Sequence, residues 1–336
     1  MNWTAPEKVL FTGGHEVGGI ASFADGLSSG FAELGIPSEI VPPTKLASHV
    51  SDLRSRRVLK ILSTTGMFAA PFARRTICML HASFLVHEQG WATTTALLGC
   101  YKMANLSSAQ LVAVSDYLAV HMRAFYGIDT DAVIRNPVKP MYLGADASYP
   151  AERNYITYVG RLVRYKNIDR LLAPILDLLN ENPGLRACII GDGPERQRLE
   201  SLAGGHPRFE FKGQPSDHEV KQHLRQTKIF VSAHPTEGFG ITYVEALSQG
   251  CVVAMPGSGG GIEIALDRVG ESVQLLPISL DHQGILNVLR RALKVQATPM
   301  PVECYSAKTV AQAYLDVDRR FFTQPSAMTQ AAHAHD

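Results

Sequence analysis

Glu237 and Glu245 stand eight residues apart in HPTEGFGITYVEALSQG, which runs from His234 to Gly250. The run KIFVSAHP (228–235) before them is short and apolar enough to be a strand, so His234 and Glu237 are expected just past its C-terminal end. Gly238 and Gly240 let the backbone pass close to a ligand, with Phe239 between them. A helix is expected to begin near Gly240, and its first N–H groups would face outward, where phosphate is favoured. Glu245 then falls about one and a half turns into that helix, on the face of Ile241, Thr242, Ser248 and Gln249. A carboxylate there can accept hydrogen bonds from vicinal hydroxyls such as those of ribose. Glu237, before the helix, can read sugar hydroxyls. The competing reading is a capping acid followed by a solvated helix acid.

Three other loops bear on the same chemistry. GRLVRYKN (160–167) follows one expected strand and precedes a helix, at the crevice end of an open sheet where ligands bind. Arg161 can fork onto phosphate oxygens and Lys166 adds a point charge; two solvated cations are the alternative. GGHEVGG (13–19) offers backbone N–H groups to a phosphate, or makes only a tight turn. Its spacing is not G-x-G-x-x-G, and VPP (41–43) stands where a ribose-binding acid would be sought, so the dinucleotide fingerprint fails. GDGP (191–194) reads as a turn. No metal-ligand cluster and no DxD stands at these loops, so no obligatory metal is expected.

These loops need a frame, and 336 residues suggest two domains. In the first half, KVLFT (8–12), VLKILS (58–63), TICMLH (76–81), LVAVS (111–115) and AVIRNPV (132–138) read as strands. ASFADGLSSGFAELG (21–35) has helical spacing, with Phe23, Leu27, Phe31 and Leu34 on one face. The proline-bearing segment 139–153 reads as a linker. The pattern restarts with YITYVG (155–160), ACIIGDG (187–193), RFEFKG (208–213), KIFVSAHP and CVVAMPG (251–257). NIDRLLAPILDLLNEN (167–182) is an amphipathic helix for which Asn167 is the expected cap. Strand–helix alternation in both halves argues for two parallel, doubly wound α/β domains. Val310, Ala313, Tyr314, Val317 and Phe321 share one face of an expected helix over 310–322. Residues 323–336 are expected to be a disordered tail.

Composition excludes several classes. Hydrophobic residues make up 46% and charged residues 19%, and a net charge of +1 gives no field for nucleic acid. Basic clusters at Arg54, Arg56, Arg57 and Lys60, and at Arg74 and Arg75, read as solvated faces; a surface meeting anionic lipid is the alternative. The five cysteines (Cys78, Cys100, Cys188, Cys251 and Cys304) form no CxxC pair and are expected as free thiols. With no signal-like segment and no apolar run near about 20 residues, a cytoplasmic protein is expected. Peripheral attachment at the inner face of a membrane is the alternative.

The ordered set YVGRLVRYKNIDRLL, IIGDGPERQRLE, FKGQPSDHEV, TEGFGITYVEALSQGCVVA and GSGGGIEI resembles the retaining, sugar-nucleotide-dependent glycosyltransferases of the GT-B fold, of the group 1 or family 4 type. The spacing from Glu237 to Glu245 is that family's E-x7-E signature. The resemblance is strong over about 155–265 and weaker upstream. It implies an α/β GT-B fold of two Rossmann-like doubly wound domains facing a central cleft. The first would be a reduced acceptor-side domain (1–140) and the second a nucleotide-sugar-binding domain (150–309), with the helix over 310–322 crossing back to the first. Arg161 and Lys166 match the pair that neutralises the donor diphosphate, Glu245 the acid on the ribose, and Glu237 the acid on the donor sugar, amid the backbone of Gly238, Phe239 and Gly240. VGGI matches the glycine pair of the first loop, placing Gly18 and Gly19 at the donor. MLHAS makes His81 the active-site histidine, leaving His15, His87 and His234 structural or on the surface.

Two departures stand out. Pro137 in VIRNPV replaces the family's glycine. The stretch between the first helix and His81 is short, so a strand–helix unit is expected to be lost or reduced, which puts any inherited acceptor in question. The implied function is transfer of a sugar, with retention, from a nucleoside-diphosphate sugar to an acceptor hydroxyl on a glycan or lipid-linked molecule, in bacterial surface polysaccharide or lipopolysaccharide assembly. No cofactor is expected. The two glutamates are not a glycosidase pair, whose carboxyls flank one anomeric carbon about 5 Å apart. A non-catalytic nucleotide-sugar-binding protein and a GT-B epimerase-like enzyme are the alternatives; an NAD-dependent oxidoreductase is disfavoured by the glycine spacing. The base, the sugar and the oligomeric state are not legible.

Overall fold

The computed structural model describes residues 3–12, 19–81, 90–144, 153–264 and 266–323. The chain divides into two units, Met1–Pro140 with Cys304–Asp336, and Met141–Glu303.

The first unit is built on six parallel strands: β1 (Lys8–Thr12), β2 (Ser38–Val41), β3 (Val58–Ser63), β4 (Thr76–Leu80), β5 (Gln110–Ala113) and β6 (Ala132–Val133), in the order β2-β1-β3-β4-β5-β6. Their apolar runs are continuous because both faces are covered, as parallel sheets require. The helix Gly19–Glu33 buries Phe23, Leu27 and Phe31. The C-terminal helix Ala307–Thr323 belongs to this unit and packs on that first helix. A Cβ at Gly30 would overlap the Ala307 carbonyl, so a glycine is what lets the two helix backbones meet. Val310, Tyr314 and Val317 are buried there, while Ala313 and Phe321 are half-buried.

Several details differ from the sequence reading. Lys60 and Arg75 are not on a solvated face. Lys60 is fully buried inside β3, donating to the carbonyls of Ser55 and Val58 at 2.6 and 2.8 Å. Arg75 is paired with buried Asp318. The strand expected over 132–138 is confined to Ala132 and Val133, with Ile134 N–H donating to Ala113 O at 2.9 Å; Pro137 has no N–H to donate and packs instead on the first helix at Gly26. The sheet has six strands among the described residues, and the crossovers from β2 to β3 and from β3 to β4 are short. A 3-10 turn (Pro43–His49) and a five-residue helix (Val50–Arg54) lead to β3, and a 3-10 stretch (Thr64–Phe72) containing Pro71 leads from β3 to β4. Cys78, Cys100, Cys188 and Cys251 are buried free thiols and Cys304 is exposed. No helix among the described residues is long and apolar enough to cross a membrane.

The second unit holds β7 (Tyr155–Val159), β8 (Arg186–Ile190), β9 (Phe209–Gly213), β10 (Thr227–Val231), β11 (Val252–Pro256) and β12 (Val273–Leu276). Their order, β9-β8-β7-β10-β11-β12, is 3-2-1-4-5-6 when counted within the unit, and every pairing is parallel. Strand order therefore reverses between β7 and β10, and the crevice beyond their C-terminal ends is where such sheets take ligands. Beneath it, Leu171, Leu172, Ile175 and Leu179 of helix Asp169–Glu181 join Ile285 and Leu289 of helix His282–Lys294 against Ile156, Ile189 and Ile229. Asn167 does not cap the first of these helices. It takes a left-handed conformation (φ 51°) that ends the 3-10 turn Arg164–Lys166, and its amide donates to the Ala233 carbonyl at 3.2 Å. GDGP stitches two loops together: Leu162 N–H donates to Asp192 O at 2.9 Å and Glu195 N–H to Leu162 O at 3.0 Å.

Candidate functional site

Arg161 and Lys166 leave the end of β7, and His234 and Glu237 leave the end of β10. The two strands are neighbours, so residues 71 positions apart in sequence meet at the switch point. The Lys166 ammonium donates to Glu237 Oε2 at 2.7 Å and lies 3.1 Å from His234 Nδ1. His234 Nδ1 is also 3.2 Å from Glu237 Oε2, and its Nε2 is 3.1 Å from Thr236 Oγ1. Burial by itself would raise the Glu237 carboxyl. The Lys166 charge, 2.7 Å away, outweighs it and holds Glu237 well below the carboxylate range, so it is ionised. Arg161 is exposed and donates to the Tyr165 hydroxyl at 2.8 Å, and the Tyr165 ring lies 5.3 Å from the His234 ring.

The glycine loop is fixed from both sides. Gly240 precedes helix Ile241–Ser248 with φ 85°, and a Cβ there would come within 2.5 Å of the Tyr243 ring. Only glycine fits that combination. Tyr243 is held by its hydroxyl, which donates to Ser232 Oγ at 2.9 Å. The loop after β11 braces the Glu237 backbone: Gly260 N–H donates to Glu237 O at 2.7 Å and Ser258 Oγ to Pro235 O at 2.8 Å. Gly238 and Phe239 are buried. Glu245 is buried in the second turn of the helix, and burial together with its charge pushes the Tyr142 phenol upward. Glu237, Lys166 and Arg161 thus share one site, with Glu245 in the helix that follows. His234, which the sequence reading left as structural or on the surface, is buried between Lys166 and Glu237.

In the first unit, His81 follows β4. Its Nε2 is buried without a hydrogen-bond partner among the described residues, and its ring meets Phe23 edge-on at 4.6 Å. Burial lowers its pKa to about 4, so it is neutral at pH 7. Gly19 opens the first helix; Gly18, His15 and His87 lie outside the described residues.

One group among the described residues has metal-ligand spacing: Cys188, Glu210 and His223. The imidazole is already engaged on both nitrogens, by Thr157 Oγ1 at 3.1 Å and by the Lys212 ammonium at 3.2 Å, and Lys212 also lies 3.7 Å from Glu210. A lysine supplies the positive charge there.

A 3-2-1-4-5-6 sheet in one unit, a second parallel sheet in the other, and charged loops at the switch point define a GT-B architecture. Solved structures agree with that fold. The Anabaena protein Alr3699/HepE in complex with UDP and glucose superposes with TM-score 0.66 at 18% identity, covering 94% of this chain and 98% of that one. Sucrose-phosphate synthase from Thermosynechococcus elongatus gives TM-score 0.69 at 16% identity, covering 98% and 100%. WaaG, a glycosyltransferase involved in lipopolysaccharide biosynthesis, gives 0.63 at 16%, covering 94% and 96%. Residues 146–299 match the family of glycosyl transferases group 1, and they lie within the second unit. Among curated relatives, a subunit of the human phosphatidylinositol N-acetylglucosaminyltransferase is 33% identical over 162 residues, 47% of this chain and 31% of the relative. The alpha-monoglucosyldiacylglycerol synthase of Acholeplasma laidlawii is 27% identical over 173 residues, 47% and 42%. The matches span about a third of the length of the first curated relatives.

Proposed function

We propose that the protein transfers a sugar from a nucleoside-diphosphate sugar to an acceptor hydroxyl. The observation that carries this reading is the placement of Arg161, Lys166 and ionised Glu237 together at the switch point of a group 1 glycosyltransferase unit. Breaking the bond between sugar and diphosphate leaves negative charge on the phosphate oxygens and positive charge on the sugar. Arg161, Lys166 and the N-terminus of helix Ile241–Ser248 would stabilise the first. Glu237 lies where it can hold sugar hydroxyls and face the second, and Glu245 takes the ribose. His81, kept neutral, meets a hydroxyl of the sugar or acceptor. Configuration is retained, with a donor phosphate oxygen taking the acceptor proton, and no cofactor or metal is required. Activity should therefore survive excess chelator; loss restored by magnesium or manganese contradicts that part.

The acceptor is proposed to be a glycan or lipid-linked hydroxyl, a class consistent with relatives whose names include phosphatidylinositol and diacylglycerol. Surface-polysaccharide assembly is the proposed setting. A thermal-shift panel of UDP-, GDP-, ADP- and TDP-sugars tests the donor class. The right donor at about 100 times its Kd adds about 2.7 kcal/mol of stability, and its slow hydrolysis shows turnover. No shift with any of the four contradicts the proposal.

A further inference from the structure

The motifs that mark the family account for Arg161, Lys166, Glu237 and Glu245, and leave His234 unassigned. Its ring is buried, yet Nδ1 stands between an ammonium at 3.1 Å and a carboxylate at 3.2 Å. One imidazole nitrogen cannot serve both. Lys166 has only donors and an ionised Glu237 has only acceptors. Bare, Nδ1 accepts from Lys166. Protonated, it donates to Glu237 but turns that N–H against the Lys166 ammonium 3.1 Å away, donor against donor, and with Nε2 protonated as well it sets a second cation beside the first. The bare form gives Lys166 two acceptors: it donates to Glu237 and to Nδ1, its ammonium standing between two acceptor atoms 3.2 Å apart, and the Nε2 proton goes to Thr236 Oγ1, 3.1 Å away.

An ammonium has three N–H bonds. Glu237 takes one and His234 a second, which fixes the direction of the third. We propose that His234, neutral and protonated on Nε2, is a positioning residue that clamps Lys166 so that its remaining N–H is aimed at the donor diphosphate. The inference rests on reading this site as the donor-diphosphate site. Its physical need is clear from the side chain. Lysine is a long, flexible side chain and a point charge without a fork of its own. With Glu237 as sole anchor, the ammonium can swing about that contact; with two anchors it cannot. Tyr165 extends the clamp, since its ring lies against His234 and its hydroxyl accepts from Arg161. The two phosphate-binding cations are thereby held through one chain of contacts, Arg161–Tyr165–His234–Lys166.

The test compares His234→Leu, His234→Asn, Lys166→Met and the double variant His234→Leu/Lys166→Met in the full chain. For each, UDP and GDP affinity, donor KM and kcat, and the thermal unfolding midpoint are measured. Leucine fills the space without an acceptor; asparagine offers Oδ1 near the position of Nδ1. His234→Leu should weaken nucleoside-diphosphate binding and raise donor KM about tenfold, the scale of one hydrogen bond to a charged group, with kcat changed less. His234→Asn should return to within about threefold of wild type. The double variant should bind no more weakly than Lys166→Met alone, because the histidine acts through the lysine. If Lys166→Met weakens binding while folded His234→Leu does not, the clamp is overturned and the donor reading stands. If folded His234→Asn is as weak as His234→Leu, the histidine acts by packing and the clamp is again overturned. If Lys166→Met itself binds like wild type, the donor reading fails, and the clamp with it.

Discussion

Two ion pairs, one in each unit, show how the same chemistry serves two ends. Arg75 lies just before β4, at the N-terminal edge of its sheet. It forks onto Asp318 through Nε and a terminal nitrogen at 2.9 and 2.7 Å, and Trp3 Nε1 donates to the same carboxylate at 2.7 Å. Both charged side chains are almost wholly out of water, 4% and 2% exposed. Lys166 and Glu237 lie past the C-terminal ends of β7 and β10 and are 16% and 26% exposed. The first pair is enclosed and ties the C-terminal helix to the start of a strand. The second is open on one side and keeps a lysine donor that no described residue takes. Position relative to the strand ends, more than the presence of opposite charges, separates the brace from the proposed binding site.

Breaking the enclosed pair should cost the most. Asp318→Ala leaves a buried guanidinium without its carboxylate and should lower the unfolding free energy by about 3–5 kcal/mol, read by urea denaturation. Lys166→Met or Arg161→Ala should cost about 2–4 kcal/mol in kcat/KM, while unfolding shifts far less than in Asp318→Ala. Equal loss of stability at both pairs would erase the contrast. Gly240→Ala should destabilise by about 1–3 kcal/mol through its left-handed backbone and the Tyr243 ring, and should weaken donor binding because the helix N-terminus moves with it.

At Lys60 the expected effect is on the pH dependence of stability. Burial, and then the Arg75 charge, lowers it from 10.5 to about 7. Between those values the unfolded chain holds a proton at this site that the folded chain does not, so this group makes stability rise with pH across about 7 to 10.5, and its cost is fully present below 7. Lys60→Met should flatten that slope in unfolding measurements made across the window.

Much of the fold was legible because parallel strands covered on both faces leave unbroken apolar runs. KVLFT and VLKILS match β1 and β3 residue for residue. Lys60 was misread for the same reason: a strand with no solvent face has nowhere to put a lysine but inside. SEIV (β2) went unseen because it is four residues long and hemmed by prolines. The acids and cations of the site were legible from their spacing and from the family they resemble. His234 was not, although it stands three residues before Glu237 at a strand end. Its partner Lys166 is 68 positions away in sequence, and only the adjacency of β7 and β10 brings the two together.

The central claim is that the open pair, and not the enclosed one, binds a nucleoside diphosphate. Calorimetric titration of UDP, and of GDP if UDP is silent, into wild type, Lys166→Met and Asp318→Asn tests it directly. The account predicts that Lys166→Met weakens binding at least about tenfold, or 1.4 kcal/mol, with its unfolding midpoint near that of wild type. Asp318→Asn should lose stability and, below its unfolding transition, bind as tightly as wild type. Undiminished affinity in Lys166→Met, or equal losses of affinity in the two folded variants, would contradict it.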